Sequence, residues 1–180
     1  SFFGSTKLSI KNMNKIYIFL FALLVGFSVA AEGEVDHKEL PFLVGEANLN
    51  FFFWPVYEEK LFSNTKSFSY PESVPFMLEL KYRRIFSSQH LYEETLRQWE
   101  AMDITPEESW LGFLEEIFPD VTKNDVISMY VSSDWHCAFY LNGQFIGSLN
   151  ELNFSKAFSA IWLSEKSTRP EFRNKLMERI

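Results

Sequence analysis

The sequence predicts an α+β domain organised around a mainly antiparallel sheet. Three observations lead there. FMLELKYRR, Phe76 to Arg84, alternates Phe76, Leu78, Leu80 and Tyr82 against Met77, Glu79, Lys81 and Arg83, the two-residue period of a half-buried strand. WHCAFYLNGQFIGSL, Trp135 to Leu149, carries Asn142-Gly143 between two apolar runs, the pair that favours a tight primed hairpin turn. Strands come first, then a helix pair, the hairpin and a second helix pair, an order that segregates helices from an antiparallel sheet.

Taken along the chain, the first element is a leader. Met13-Asn14-Lys15 precedes the apolar run IYIFLFALLVGFSVA, with Lys7, Lys11 and Lys15 before it and Ser28-Val29-Ala30 at its end. A basic start, an apolar middle and small residues at the cut describe a secretory signal peptide, so residues 1–30 are expected to be upstream sequence plus leader. Cleavage is expected after Ala30 or one residue later. The other reading is an uncleaved anchor, for which the run is short against a span of roughly 20 residues. Residues 31–41 are a polar lead-in, and the folded domain is expected over 42–180. The protein is therefore expected to be exported, to a periplasm or to the outside, with no membrane span once the leader is cut.

PFLVGEANLNFFFWPVYEEKLF, Pro41 to Phe62, reads as long extended structure, with Pro55 marking an edge, bulge or bend. Within it Phe51 and Phe53 are expected on one face, Phe52 and Trp54 on the other. A sheet apolar on both sides needs something over each, and a small apolar ligand is one way to cover the second. SNTKSFSYPES, Ser63 to Ser73, is a loop. Leu91, Thr95, Trp99 and Met102 then recur at helical spacing behind a cap at Ser87 or Ser88. Thr105-Pro106-Glu107-Glu108 combines a capping box with proline in the first turn, and Trp110, Leu114, Ile117 and Phe118 form the stripe behind it. DVISMYV, Asp125 to Val131, is apolar enough for a central strand. NFSKAFSAIWLS, capped by Asn153, and TRPEFRNKLMERI are the last two helices.

Charge and side-chain chemistry exclude several classes. Of 24 acidic residues all follow residue 30, with 14 of the 17 basic ones, a net charge of about −10 that repels phosphate backbones and anionic lipid. Nucleic acid is thus not an expected partner. The single cysteine, Cys137, permits no internal disulfide and sits in an apolar strand pattern, where a buried inert thiol is expected. His37, His90 and His136 show no metal-ligand spacing, and no fingerprint asks for a metal or another cofactor. Adjacent acids such as Glu107-Glu108 do not face each other on a helix and form no acid/base pair. Arg83 and Arg84, closing a strand, are candidate donors to a carboxylate.

LEEIFPDVTKNDVISMYVSSDWHCAFYLNGQFIGSLNELNFSKAFSAIWLSEKS, Leu114 to Ser167, resembles the chalcone isomerase-like family, especially its exported bacterial members. The resemblance rests on Phe118 to Val121, Lys123 to Asp125, Leu141 to Gly143, Gly147 to Leu149 and Phe154 to Leu163, with Val56-Tyr57 upstream. It implies an open-faced β-sandwich, a mainly antiparallel sheet covered by a helix layer, with a ligand cleft between them. Some members close a flavanone ring; non-catalytic ones bind fatty acids. The family's catalytic arginine falls near Ala47, its threonine at about Phe52, its tyrosine near Leu91 beside Tyr92, and its asparagine at about Gln98. Losing the arginine and threonine together removes donors that would steady an enolate. The resemblance thus favours a non-catalytic binder of a small apolar or fatty-acid-like ligand, with Phe52 and Trp54 as apolar wall. Leu91, Tyr92, Gln98 and Arg83 complete the candidate site. An isomerase of unknown substrate and a partner-binding protein of the cell envelope are the alternatives.

Overall fold

The computed structural model describes residues 40–178. The leader expected at residues 1–30, and all but the end of the lead-in, lie outside the described residues. Six strands form one sheet: β1 (Phe42–Phe51), β2 (Trp54–Ser63), β3 (Phe76–Tyr82), β4 (Val126–Val131), β5 (Cys137–Leu141) and β6 (Gln144–Leu149). They lie in chain order, and every neighbouring pair is antiparallel. Among the described residues there are four helices, α1 (Ser88–Ala101), α2 (Glu108–Ile117), α3 (Leu152–Leu163) and α4 (Pro170–Met177). This is the open-faced α+β arrangement that the sequence predicts.

Strand parity decides which face is covered. Tyr57, Glu59, Leu61 and Ser63 of β2 are buried, as are Phe76, Leu78, Leu80 and Tyr82 of β3. The intervening Glu58, Lys60 and Lys81 are half-buried on the opposite face, where Lys60 lies 3.7 Å from Glu58. That face mixes charge with apolar side chains, the buried Met77 and Tyr140 among them. Asn142 and Gly143 both take positive φ (52° and 81°) at the β5–β6 turn, as a primed turn requires.

The FFFW segment departs from expectation. Phe51 and Trp54 pair across a two-residue turn made of Phe52 and Phe53, so the four rings crown a hairpin tip instead of dividing between two sheet faces. The physical reason lies in Pro55. It pairs with Asn50 at a register shift, beyond the first β2–β3 pair at Tyr57 and Tyr82, where its missing N–H breaks no ladder.

The helix layer is tied to the sheet by rings. Phe139 of β5 is fully buried and lies within 5.9 Å of Phe113 in α2 and 5.2 Å of Phe158 in α3, centre to centre. Trp99 of α1 is also fully buried, and its indole N–H donates to the Ala157 carbonyl of α3 at 2.8 Å. Ser87 caps α1 by accepting from the His90 amide at 3.2 Å. Two other caps differ from expectation. Helix α2 starts at Glu108 behind Glu107, because the Ile104 amide is still bonded to the Trp99 carbonyl at 2.8 Å and the chain turns only later. Helix α3 starts behind Glu151 rather than Asn153; the Glu151 carboxylate accepts from the Trp110 indole at 2.8 Å.

Helix α4 lies directly on β1 at Gly45. A methyl group there would sit 2.4 Å from the Leu176 carbonyl oxygen, a backbone atom that cannot swing aside. Gly112 on α2 is the contrast, with nothing within 4 Å of an added methyl. Gly45→Ala is expected to destabilise by about 1–3 kcal/mol as α4 is forced outward. Gly112→Ala should stabilise by roughly 0.5–1 kcal/mol through helix propensity alone. Urea unfolding of the two variants beside the parent measures both.

Candidate functional site

Between the sheet's inner face and the helices lies a cavity of about 380 Å³. Its floor is Leu78, Leu80, Ile127 and Met129 from the two central strands, with Tyr57 and Tyr82 at one side. Its roof is α1, through Leu91, Thr95 and Gln98, and α3, through Phe158, Ile161 and Trp162. Helical spacing at Leu91, Thr95 and Gln98 turns one face of α1 down onto the sheet. Exposed Asn50, Phe51, Arg84 and Arg97 also line the cavity and set its edge toward solvent. The floor is apolar, and Glu94, Arg97, Gln98 and Arg169 form one connected polar end of a lining that also includes Asn50, Arg84 and His90. Both features are usual for small-molecule sites of roughly 300–1,000 Å³.

That polar end is organised by Glu94. Its Oε1 accepts from Gln98 Nε2 at 2.8 Å and from Arg169 Nη2 at 3.3 Å, while Oε2 accepts from Arg97 Nε at 3.0 Å. Gln98 in turn accepts from the Thr168 hydroxyl at 2.6 Å. Partial burial alone would raise the Glu94 carboxyl. The hydrogen bonds from Arg97 and Gln98 and the two guanidinium charges outweigh it and hold the group below its ordinary value. Deeper in, the Trp162 indole donates to the Tyr57 hydroxyl at 3.0 Å. Burial first, then the Glu59 charge, pushes the Tyr57 phenol above its ordinary range, against the opposing pull of Arg169. Tyr82 is raised in the same direction, by burial, then by Tyr57 and Glu59.

The structure sorts the residues singled out in the sequence. Leu91 and Gln98 line the cavity, as does Arg84. Phe52 and Trp54 do not; they stand at the hairpin tip, 81% and 63% exposed, and Phe51 takes the lining position expected of them. Tyr92 is one step around the helix from Leu91 and turns toward Glu115 of α2, whose hydrogen bond and charge act on its phenol. Arg83 follows Tyr82 on the opposite parity and pairs with Glu58 on the open face. The position expected to match the family's arginine holds Ala47, 2% exposed, whose cross-strand neighbour is Glu59. Cys137 is buried, and burial pushes its thiol up to about 11 against a hydrogen bond with Ser155.

Arg169 of the cavity lining, and Glu59 two residues from its Tyr57 on β2, escape sequence reading. Arg169 comes from the N-terminal cap of α4, far along the chain from α1, and only the tertiary fold brings it to Glu94. Glu59 is fully buried on β2, and both carboxyl oxygens lack a hydrogen-bond partner among the described residues. Its inward parity with Tyr57 and Leu61 was the available signal.

A single antiparallel sheet with a helix layer roofing an apolar cleft on its inner face defines an open-faced ligand-cleft protein. The sequence matches the chalcone isomerase-like family over residues 24–178, and the chain belongs to that family. An uncharacterized protein of Haemophilus influenzae is 26% identical over 136 residues, covering 74% of this chain. The match spans 66% of that protein, just under two thirds of its length. The crystal structure of an Arabidopsis thaliana fatty-acid binding protein superposes with a TM-score of 0.57 at 9% identity, over 75% of this chain and 85% of that one. At that identity the likeness shows the fold.

Glu59 yields a pH prediction. Burial raises its carboxyl well above the ordinary carboxylate value, opposed only in part by the Arg169 charge. A raised acid contributes stability that is complete below the unfolded-state value and is lost as pH climbs toward the folded-state value. Glu59→Gln, which cannot ionise, should therefore match the parent near about pH 4 and exceed it by roughly 1–3 kcal/mol near about pH 8. Thermal melts of both proteins across that range read the difference; a gain that shrinks with rising pH would contradict it.

Proposed function

We propose that the chain is a non-catalytic binding protein for a small apolar, fatty-acid-like molecule held between the sheet and the helices. The observation that carries the reading is the cavity itself. It offers an apolar floor over Leu78, Leu80, Ile127 and Met129, with a connected charged cluster of Glu94, Arg97 and Arg169 at one end and Arg84 at its solvent edge. Such a division suits a guest with a hydrocarbon body and a single polar head. Arg169 is the cation best placed for that head. It lines the cavity, its side chain is 32% exposed, and Nη2 is the atom that reaches Glu94. A guanidinium presents five donors, so a carboxylate has others to use. Membership of the family and the fatty-acid binding named for the Arabidopsis protein support the same ligand class. The leader-like run over residues 16–30 supports export, to a periplasm or to the outside.

An isomerase of unknown substrate remains the second reading because Tyr57 and Tyr82 share the cavity with Arg169. Their raised phenols are protonated at neutral pH and would act as hydrogen-bond donors, not as bases. Turnover of a chalcone and enone panel that is lost in Tyr57→Phe would favour this reading over the first.

Calorimetric titration with dodecanoate and with its methyl ester tests the binding reading. Both should bind the parent. Arg169→Gln should weaken the carboxylate by about 10- to 100-fold and leave the ester nearly unchanged, the difference expected for a charge-assisted hydrogen bond. Absence of heat with either compound would remove the reading.

A further inference from the structure

The hairpin tip points to a partner that the cavity alone does not identify. Phe51, Phe52, Phe53 and Trp54 are 65%, 81%, 97% and 63% exposed, and Ile85, the next residue after Arg84 that lies over the Trp54 ring, is 76% exposed. These are five of the eight large apolar side chains left exposed among the described residues, so the apolar surface is concentrated at one place. Turn chemistry does not ask for them. The β5–β6 hairpin fills its two-residue turn with Asn142-Gly143, which accept positive φ, whereas the β1–β2 hairpin uses Phe52-Phe53 and holds Phe52 at a φ of 54°. A bulky residue in that region is disfavoured, so these rings serve something other than the turn.

The tip is continuous with the cavity. Phe51 belongs to both, and Arg84, which also lines the cavity, lies over the Trp54 ring at 5.8 Å. Whatever the tip touches therefore lies at the cavity's edge. A two-residue turn offers no flat face of the roughly 800 Å² that a protein partner usually buries. Projecting rings with tryptophan and arginine at their base instead match the layering of a bilayer: hydrocarbon for the rings, headgroup region for the indole and phosphate for the guanidinium. The net charge of −7 over the whole sequence repels anionic surfaces, which leaves an electrically neutral bilayer as the fitting one.

We propose that the Phe51–Trp54 tip inserts into the interface of a neutral lipid bilayer, setting the edge of the cavity against the membrane. Docking of this kind goes beyond ligand binding and does not require the cavity to be filled. It would give a poorly soluble guest a path between bilayer and cavity that avoids water.

The tryptophans supply the readout. Of five, Trp99, Trp110, Trp135 and Trp162 are no more than 9% exposed, so a quencher carried by lipid chains outside the cavity reaches Trp54, while Trp162 reports only a chain that has entered the cavity. The full chain is mixed with phosphatidylcholine vesicles whose acyl chains are brominated, and tryptophan emission is followed. The parent should be quenched. Phe52→Asn/Phe53→Gly, which restores favourable turn chemistry and keeps Trp54, should fold at least as stably by circular dichroism. Its quenching should demand at least about tenfold more lipid, because two rings no longer partition. Emission indifferent to brominated lipid, or equal quenching in the double variant, overturns the proposal. So does tighter binding to anionic vesicles, or a concentration-dependent dimer in sedimentation that shields Trp54 without lipid. Dodecanoate binding is measured on the same two proteins: intact binding beside absent quenching rejects the docking only, and the reverse rejects the ligand reading only.

Discussion

The separation between sheet and helix layer is the constraint on which the rest depends. Phe139 sets it at one side, wedged against Phe113, Phe154 and Phe158. The contact of α4 with Gly45 of β1 sets it at the other. Trp99 locks α1 to α3 through the Ala157 carbonyl, so the roof moves as one piece. Between these fixed supports the side chains of Leu78, Leu80 and Met129 are too short to fill the gap. Packed interiors resist collapse of this kind, since closing the space would drive the ring cluster off its contacts.

The same geometry gathers charge where it can be used. Glu94 is answered by Arg97, Gln98 and Arg169, and a depressed carboxyl is the consequence. Glu59, two residues from Tyr57 on the same face, accepts no hydrogen bond among the described residues, and burial outweighs the Arg169 charge and raises it instead. Two carboxyls on facing layers are thus driven in opposite directions by their surroundings. Proteins retain a destabilising buried acid more readily near a site than in plain core, so Glu59 and its neighbours Tyr57 and Tyr82 mark this end of the cleft as chemically distinct.

Much of the fold is legible in the chain because its signals are local. Alternation in FMLELKYRR fixes the covered face of β3, Asn142-Gly143 fixes a turn, and the Leu91-Thr95-Trp99 spacing fixes the buried side of α1. The family likeness adds the layer order. The site is legible only in part. Leu91 and Gln98 follow from the helical period and the family alignment, but Arg169 reaches the cleft through a contact between α4 and α1 that no local pattern encodes. The FFFW segment misleads because a run of aromatic residues carries no sign of its own turn. Pairing of Phe51 with Trp54 is set by β-ladder register and by Pro55, and those are properties of the assembled sheet.

The central claim is that the space over the middle strands receives a guest. Intermolecular nuclear Overhauser contacts between carbon-labelled dodecanoate and the protein's methyl and aromatic protons test it most directly. The account predicts cross-peaks to Met129 and Leu78, which are 1% and 0% exposed and reachable only from inside the cavity. Cross-peaks confined to the rings at the hairpin tip, with Met129 and Leu78 silent, would contradict it.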